Sequence, residues 1–374
     1  RLAARNSVSG FWKHHIITED MSSAGGAVVV FAKCPIAGAS KTRLAPLLGA
    51  EGAALLAKAM LSDVLVSLSE CSHLTNTLKV LVYAPGTKSG ECQMISILQS
   101  LNISYIKMDA ETESETMAKS NNLDVRDKWV LLPMKSSTPA HSNNHKDKQQ
   151  QSTTNASKSD LTSSSLGDKL ADALERTRSL LTGTIPTTSS SAARKNNTNN
   201  GGAVLFLGMD SPELPMAEIV HGLRLSNGDM DNSCTGSKKS EGFNNNGIAH
   251  MCPANDGGYG LLSVPKHASS SKIFSSVRWS NSLTAVSQLK ALTDCNVTVS
   301  LGKLMYDIDE PDDVKNLAER LLQTQDDANN SKCYPESQLD DSLSNLSSGI
   351  STIVSTGLCV PNRYPQHTWK ALLE

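Results

Sequence analysis

The chain has 374 residues, 39% of them hydrophobic, and a formal net charge of −2 from 35 basic and 37 acidic side chains. That length suits one large α/β domain or two small ones, and the near-neutral balance excludes a global basic field of the kind that gathers nucleic acid. The apolar deficit is uneven along the chain, which points to an ordinary core diluted by polar insertions.

The first residues carry Arg1, Arg5, Lys13, His14 and His15 against Glu19 and Asp20. A disordered tail over 1–25, or a trimmed organelle-targeting segment, is expected there. Beyond it the apolar pattern predicts a strand at Ala27–Ala32 and a helix at Glu51–Leu68 with Leu56, Met60, Val64 and Leu68 on one face. A strand at Lys79–Tyr83, a helix at Glu91–Leu101 and short strands at Tyr105–Met108 and Trp129–Leu132 follow. Then come a helix at Leu166–Leu181, a strand at Ala203–Leu207 and a helix at Pro215–Leu223. His250–Val264, split by Asp256-Gly257-Gly258, reads as strand, turn, strand. A helix at Ser282–Leu292, a strand at Val297–Leu301 and a helix at Pro311–Leu322, with Pro near N1, complete the pattern. Alternation of this kind implies a mainly parallel sheet covered by helices, with ligands at the carboxyl ends of the strands.

Four segments are too polar to offset the entropy of ordering them: Lys135–Ser165, Pro186–Gly202, Asn227–Asn246 and Gln323–Ser355. The core pattern resumes after the first three, so they read as disordered insertions in one domain spanning 26–322. The fourth reads as a linker to a short tail, 356–374, that docks as a helix. The eight cysteines show neither C-x-x-C spacing nor zinc-ligand spacing with histidine. They read as reduced thiols of an intracellular protein, cytoplasmic unless imported into an organelle. No apolar run approaches the ~18–20 residues of a membrane span.

Between the first strand and helix lies Phe31-Ala32-Lys33-Cys34-Pro35-Ile36-Ala37-Gly38-Ala39-Ser40-Lys41-Thr42-Arg43-Leu44. A loop with Pro, Gly and three cations in that position is laid out for an anion, with backbone N–H groups and Lys33, Lys41 and Arg43 facing it. It is neither a Walker A sequence nor a G-x-G-x-x-G fingerprint. It reads as a phosphate or sugar-nucleotide site, or as a solvated basic loop. Asp210 lies just past the strand that ends in Leu207 and can either hold Mg²⁺ or Mn²⁺ or cap the next helix. Asp309, in Asp307-Ile308-Asp309-Glu310-Pro311-Asp312-Asp313, is placed as another hard-metal ligand, with Asp307 beside it. Asp312 and Asp313 suit the first turn of a helix. Asp256, Gly257, Gly258 and Tyr259 make either an ordinary tight turn or the lip of an acceptor pocket.

Together these segments resemble one family. Phe31-Ala32-Lys33-x-Pro35-x-x-Gly38-x-x-Lys41-Thr42-Arg43-Leu44-x-Pro46-x-x-Gly49 looks like the N-terminal signature of glycosyltransferase-A-like proteins of the selenodomain-associated transferase type. Their relatives include 2-phospho-lactate guanylyltransferase and molybdopterin nucleotidyltransferases. Matches in the family's order follow at Leu166-Gly167-Asp168-Lys169-Leu170, Leu207 to Leu214, Asp256 to Tyr259, Val277-Arg278-Trp279-Ser280 and Tyr306 to Asp313. The resemblance implies a three-layer α/β/α sandwich of the nucleotide-diphospho-sugar transferase type, Rossmann-like, with a mainly parallel sheet. It implies that Lys33, Gly38, Lys41 and Arg43 bind the donor phosphates. Asp210 and Asp309 would hold a divalent metal, Mg²⁺ or Mn²⁺, and Asp256, Gly257, Gly258 and Tyr259 would face the acceptor. The departures are Asn255, where the family usually has an acid, and Met209 and Ser211 in place of Thr and Cys.

The expected function is metal-dependent transfer of a nucleotidyl or glycosyl group from a nucleoside triphosphate or nucleotide-sugar to a small acceptor. The alternatives are a non-catalytic nucleotide or nucleotide-sugar binding protein, and a scaffold whose polar insertions are interaction segments. No nucleic-acid partner and no membrane span are expected.

Overall fold

The computed structural model describes residues 25–108, 127–135, 165–182, 202–229, 247–331 and 365–373. The N-terminal tail and the bulk of the four polar segments lie outside the described residues. Eight strands make one sheet: β1 (Ala27–Lys33), β2 (Leu78–Ala84), β3 (Tyr105–Lys107), β4 (Trp129–Pro133), β5 (Val204–Gly208), β6 (Ala249–Pro253), β7 (Tyr259–Val264) and β8 (Val299–Leu301). Their order is β3-β4-β2-β1-β5-β7-β6-β8. Every pairing is parallel except those of β7, which runs antiparallel to β5 and β6. This is an α/β fold with a mostly parallel, mixed sheet.

β1 shows why its sequence does not alternate. Its neighbours β2 and β5 pair with it in register from Ala27 onward, and both of its faces are covered. Val28 and Val30 pack with Leu61 and Leu65 of α1 (Ala45–Glu70), Met94 and Ile97 of α2 (Lys88–Ser100) and Ile219 of α4 (Met216–Asn227). Val29 packs on the other face with Leu170 and Leu174 of α3 (Leu166–Thr182), Ile273 of α5 (Ser270–Ile273) and Leu292 of α6 (Thr284–Asp294). A strand sandwiched between two helical layers needs apolar side chains at every position. From β1 the chain steps to β2 on one flank and from β5 it steps to β6 and β7 on the other, so the switch in strand order falls between β1 and β5. A crevice outside the strand ends is expected at such a point.

The helix after β1 departs from the sequence reading. It runs from Ala45 to Glu70, longer at both ends, with a break at Gly49, whose φ is 73°. Its expected single face is two faces. Leu61, Val64, Leu65 and Leu68 meet the sheet, whereas Leu56 and Met60 meet Val314, Leu317 and Leu321 of α7 (Pro311–Ser331). Being covered on two sides makes the helix apolar almost all round. That is why Thr42–Glu70, alone among the described residues, is long and apolar enough to cross a membrane, although 67% of its apolar window is buried inside the protein. α7 also continues nine residues past its expected end, to Ser331, through the polar run Gln323–Ser331 of the segment read as linker. The strand expected from Val297 starts at Val299, since the Val297 N–H closes the end of α6 on the Leu292 carbonyl.

The last described segment, α8 (Gln366–Leu373), docks on α1. Asp63 of α1 caps it from outside: Oδ1 accepts the His367 N–H at 3.0 Å and Oδ2 the Thr368 N–H at 2.7 Å. Burial holds the Asp63 carboxyl above its usual range, and these two hydrogen bonds offset part of that rise. Asp63→Ala removes the acceptor for both amides and should cost about 1–2 kcal/mol, the scale of a lost N-cap. Urea unfolding measures this; an unchanged midpoint would show that α8 is held by its apolar contacts alone.

Candidate active site

The loop after β1 is shaped by its own hydrogen bonds. The Ala39 and Ser40 N–H groups both donate to the Ile36 carbonyl, and the Ile36 N–H donates to Ser40 Oγ at 3.1 Å. The Ser40 hydroxyl in turn donates to the Cys34 carbonyl. The Ile36, Ala39 and Ser40 amides are thus used inside a tight turn rather than toward a ligand. Gly38 provides a positive φ of 73° in that turn and lies outside the residues lining the adjoining clefts. The recognition capacity of the loop is in its side chains.

Lys41 is the residue the turn delivers. Its backbone is left-handed, φ 46° and ψ 46°, which costs a residue with a Cβ about 1 kcal/mol. Its side chain is 8% exposed, and Nζ lies 2.6 Å from Asp210 Oδ1 and 2.6 Å from Asp309 Oδ1. Burial alone would lower its pKa, but the two carboxylates outweigh that and raise it. The aspartates are themselves 38% and 43% exposed, so the triad opens to solvent on the carboxylate side. Their segments are joined directly, because the Ile308 N–H donates to the Asp210 carbonyl at 3.1 Å. Asp210 does not cap the following helix: α4 begins after Pro215 with no side-chain cap. Asp313 does cap, accepting from the Asp309 and Glu310 N–H groups, and Asp312 pairs with Lys315.

Two connected clefts flank this triad. The smaller, about 250 Å³, is lined by Lys33, Ser40, Lys41, Arg43, Asp210 and Asp309 among others. The larger, about 950 Å³, shares Phe31, Lys33, Arg43 and Asp309 with it and extends over Phe206, Tyr259 and Trp279. Lys33 and Lys169 line it, and among the described residues neither ammonium has a carboxylate partner. Arg43 reaches Glu310 at 3.2 Å with both side chains largely exposed, a pairing that costs little to break. Phe31 and Phe206 lie 5.7 Å apart, and Phe274 joins Phe206 to Trp279 at 6.1 and 6.3 Å, giving the cleft an aromatic floor.

The Asp-Gly-Gly turn joins β6 to β7. Asp256 Oδ1 accepts the Gly258 N–H at 2.7 Å, and Gly257 has φ 87° with the Ser282 carbonyl directly against its Cα. Gly257 therefore shapes the turn from behind, whereas Asp256, Gly258 and Tyr259 line the larger cleft. The Tyr259 hydroxyl donates to Gln288 Oε1 at 3.2 Å, and burial pushes its pKa up, so its ring rather than its oxygen faces the cleft. Asn255 is turned away, into a separate cleft with Asp307 and Arg320. Burial, and then the charge of Asp256, raise the Asp307 carboxyl to about 6.

The fold thus brings Lys33, Lys41, Arg43, Asp210 and Asp309 to one place, with Asp256, Gly258 and Tyr259 along the adjoining wall. Gly38 and Gly257 support the loops from outside. Lys169 and Trp279 belong to segments singled out in the sequence but given no role there. They meet because Gly167 sits against Trp279: a Cβ on Gly167 would lie 2.8 Å from the indole Nε1. That close approach leaves only the glycine itself as a signal in the sequence.

No family model matches the chain, and no curated protein matches it. It is similar to a crystal structure from Desulfovibrio desulfuricans G20, provisionally named as a nucleotide-diphospho-sugar transferase, at 17% identity and a TM-score of 0.42, over 77% of this chain and 83% of that one.

Lys41→Met keeps the bulk of the side chain and leaves Asp210 and Asp309 facing each other without a cation. Stability should fall by about 1–3 kcal/mol, between the values for exposed and buried pairs because both aspartates remain partly wet. Adding Asp210→Asn to Lys41→Met should recover part of the loss. Thermal and urea unfolding check this, and a wild-type midpoint in Lys41→Met would show that the triad adds nothing to folding.

Proposed function

We propose that the chain is a transferase of the nucleotidyl or glycosyl type, using a nucleoside triphosphate or nucleotide-sugar as donor. One observation carries the reading: a buried lysine ammonium meets two aspartates, one at the end of β5 and one just before α7, beside a large cleft with an aromatic floor and two lysines that have no carboxylate partner among the described residues. Lys33, with Arg43 after release from Glu310, suits the donor phosphates, each contact being a charge-assisted hydrogen bond. The floor of Phe31, Phe206 and Trp279 suits the flat face of a base or sugar. Asp256, Gly258 and the Tyr259 ring suit the acceptor. Most of the rate enhancement would come from holding donor and acceptor together and from fixed positive charge on the leaving phosphate.

The donor set also fits a divalent cation. Two aspartate oxygens already converge on one positive charge, and a hard ion with its remaining waters asks for that kind of partner. Asp210 and Asp309 would hold Mg²⁺ or Mn²⁺ once Lys41 withdraws, and Lys41 would then face the donor phosphates. Bound there, the metal supplies neutralisation of the diphosphate.

The same geometry favours a second reading, metal-independent nucleotide binding without turnover, because Lys41 already neutralises both carboxylates. Thermal shift and calorimetry with a panel of nucleoside triphosphates and nucleotide-sugars, with and without Mg²⁺, separate the two. The transferase reading expects tighter donor binding with metal and turnover that disappears in Asp210→Ala. Lys33→Ala should weaken donor binding by about 1.5–3 kcal/mol, the scale of a hydrogen bond to a charged group. Binding indifferent to metal, with no turnover, selects the second reading; no response to any nucleotide ends both.

A further inference from the structure

A second cluster of chemically capable side chains lies below the active face and takes no part in the transferase reading. His250 and Cys252 are alternate residues of β6, so the strand's period of two points both toward α4, and Glu218 projects from the first turn of α4 to meet them. All three are buried. His250 Nε2 lies 2.8 Å from Glu218 Oε2, and Cys252 Sγ lies 3.8 Å from the same nitrogen. The three donor atoms are all within 4.8 Å of one another.

One feature says that this is more than a buried ion pair. Gly302, just after β8, lies across the cluster, tied to β6 by its N–H on the Met251 carbonyl at 2.9 Å. A Cβ on Gly302 would stand 2.6 Å from Cys252 Sγ, 2.6 Å from Glu218 Oε2 and 2.6 Å from His250 Nε2. Three donor atoms thus converge on one small space that stays open only because residue 302 has no side chain. His250 Nδ1, the other ring nitrogen, is buried and has no hydrogen-bond partner among the described residues, so it is Nε2 that serves the cluster. The edge-on ring of His221, 5.2 Å away, leaves the Glu218 side to orient the imidazole.

We propose that Glu218 Oε2, His250 Nε2 and Cys252 Sγ form a binding site for a zinc-class divalent cation, lying among the three donors against Gly302. One carboxylate, one imidazole and one thiolate are a borderline-to-soft set, suited to Zn²⁺ and unlike the all-oxygen pair at Asp210 and Asp309. On binding, the imidazole takes the Nδ1–H tautomer and the Cys252 thiol proton goes to solvent. Thiolate, carboxylate and Zn²⁺ then sum to zero charge in a buried place. Without an ion, burial pushes the Cys252 thiol up to about 12, while the hydrogen bond from His250 holds the Glu218 carboxyl below its usual range. The ion would tie α4 and β6 to the segment that starts at Gly302 and ends at Asp309, so its effect is to brace a strand-end carboxylate from behind.

The test uses the full chain, freed of metal by chelator dialysis and titrated with Zn²⁺ or Co²⁺ alone. One Zn²⁺ per chain is expected, with a thiolate-to-cobalt charge-transfer band for Co²⁺ and a raised melting temperature. Cys252→Ser and Gly302→Ala should each abolish the band and weaken Zn²⁺ by at least the roughly 100-fold that loss of an outer partner costs a metal site. A zinc-edge anomalous map of Zn²⁺-soaked wild-type crystals needs no variant and should show a peak among the three donors. Absence of that peak, or Zn²⁺ binding and a cobalt band that persist in folded Cys252→Ser, overturns the proposal.

Discussion

One ammonium group holds the active face together. Lys41 Nζ sits 2.6 Å from carboxylates delivered by two segments far apart in the chain, and a third segment delivers Lys41 itself. Remove the charge and two aspartates confront each other at the mouth of a cleft. Keep it, and the loop after β1, the end of β5 and the strand-like approach to α7 are fixed relative to one another. The Ile308-to-Asp210 backbone hydrogen bond supports the same convergence without any charge. The left-handed backbone at Lys41 is consistent with this arrangement, since strain at a non-glycine residue persists only where the surroundings over-determine it.

The cleft beside the triad owes its chemistry to where the sheet changes direction. β1 and β5 are adjacent and parallel, yet the chain steps from β1 toward one edge of the sheet and from β5 toward the other, so the strand order reverses beyond their carboxyl ends. Phe31 and Phe206, near those ends, supply apolar floor, and Lys33 and Lys169 supply charge at its edge that no carboxylate pairs among the described residues. Apolar surface with a few placed polar groups is what a small-molecule site requires. The antiparallel insertion of β7 then brings the Asp-Gly-Gly turn to the same edge as the parallel strand ends, which is how Asp256 and Tyr259 reach the cleft wall.

Behind the site, two helices carry unequal loads. α1 is buried on two sides, against the sheet and against α7, and it also holds α8 through Asp63. α7 follows closely on Asp309, so the contacts of Leu317 and Leu321 with Leu56 and Met60 anchor that carboxylate through the helix after it. On the other side of β6, the Glu218–His250–Cys252 cluster approaches the same 302–309 segment from its beginning. That segment is thus held at both ends by packing that takes no direct part in any transfer chemistry.

Much of this was legible in the residues themselves. Six apolar residues in a row, Ala27 to Ala32, make β1 a buried strand whatever surrounds it, and Pro311 with Asp312 and Asp313 opens a helix by local rules alone. Hence the element types, the α/β class and the strand-end positions of Asp210 and Asp309 follow from composition and spacing. The early stop of α7 failed because the polar run after Leu322 carries no apolar stripe yet stays helical to Ser331. The single-face reading of α1 failed because it depends on a partner remote in sequence: only the packing of α7 on Leu56 and Met60 shows that α1 needs apolar residues on two sides. The internal use of the Ile36, Ala39 and Ser40 amides, the place of Gly257 behind its turn and the sharing of one cleft by Lys169 and Trp279 were invisible for the same reason. Such features rest on distances between segments remote in sequence, and periodicity reports only what neighbours along the chain share. The sequence by itself determined which elements form and which side chains are able to bind charge. Tertiary structure decided that a lysine, Lys41, stands between the two aspartates, because only the closing of three segments on one point brings them within contact.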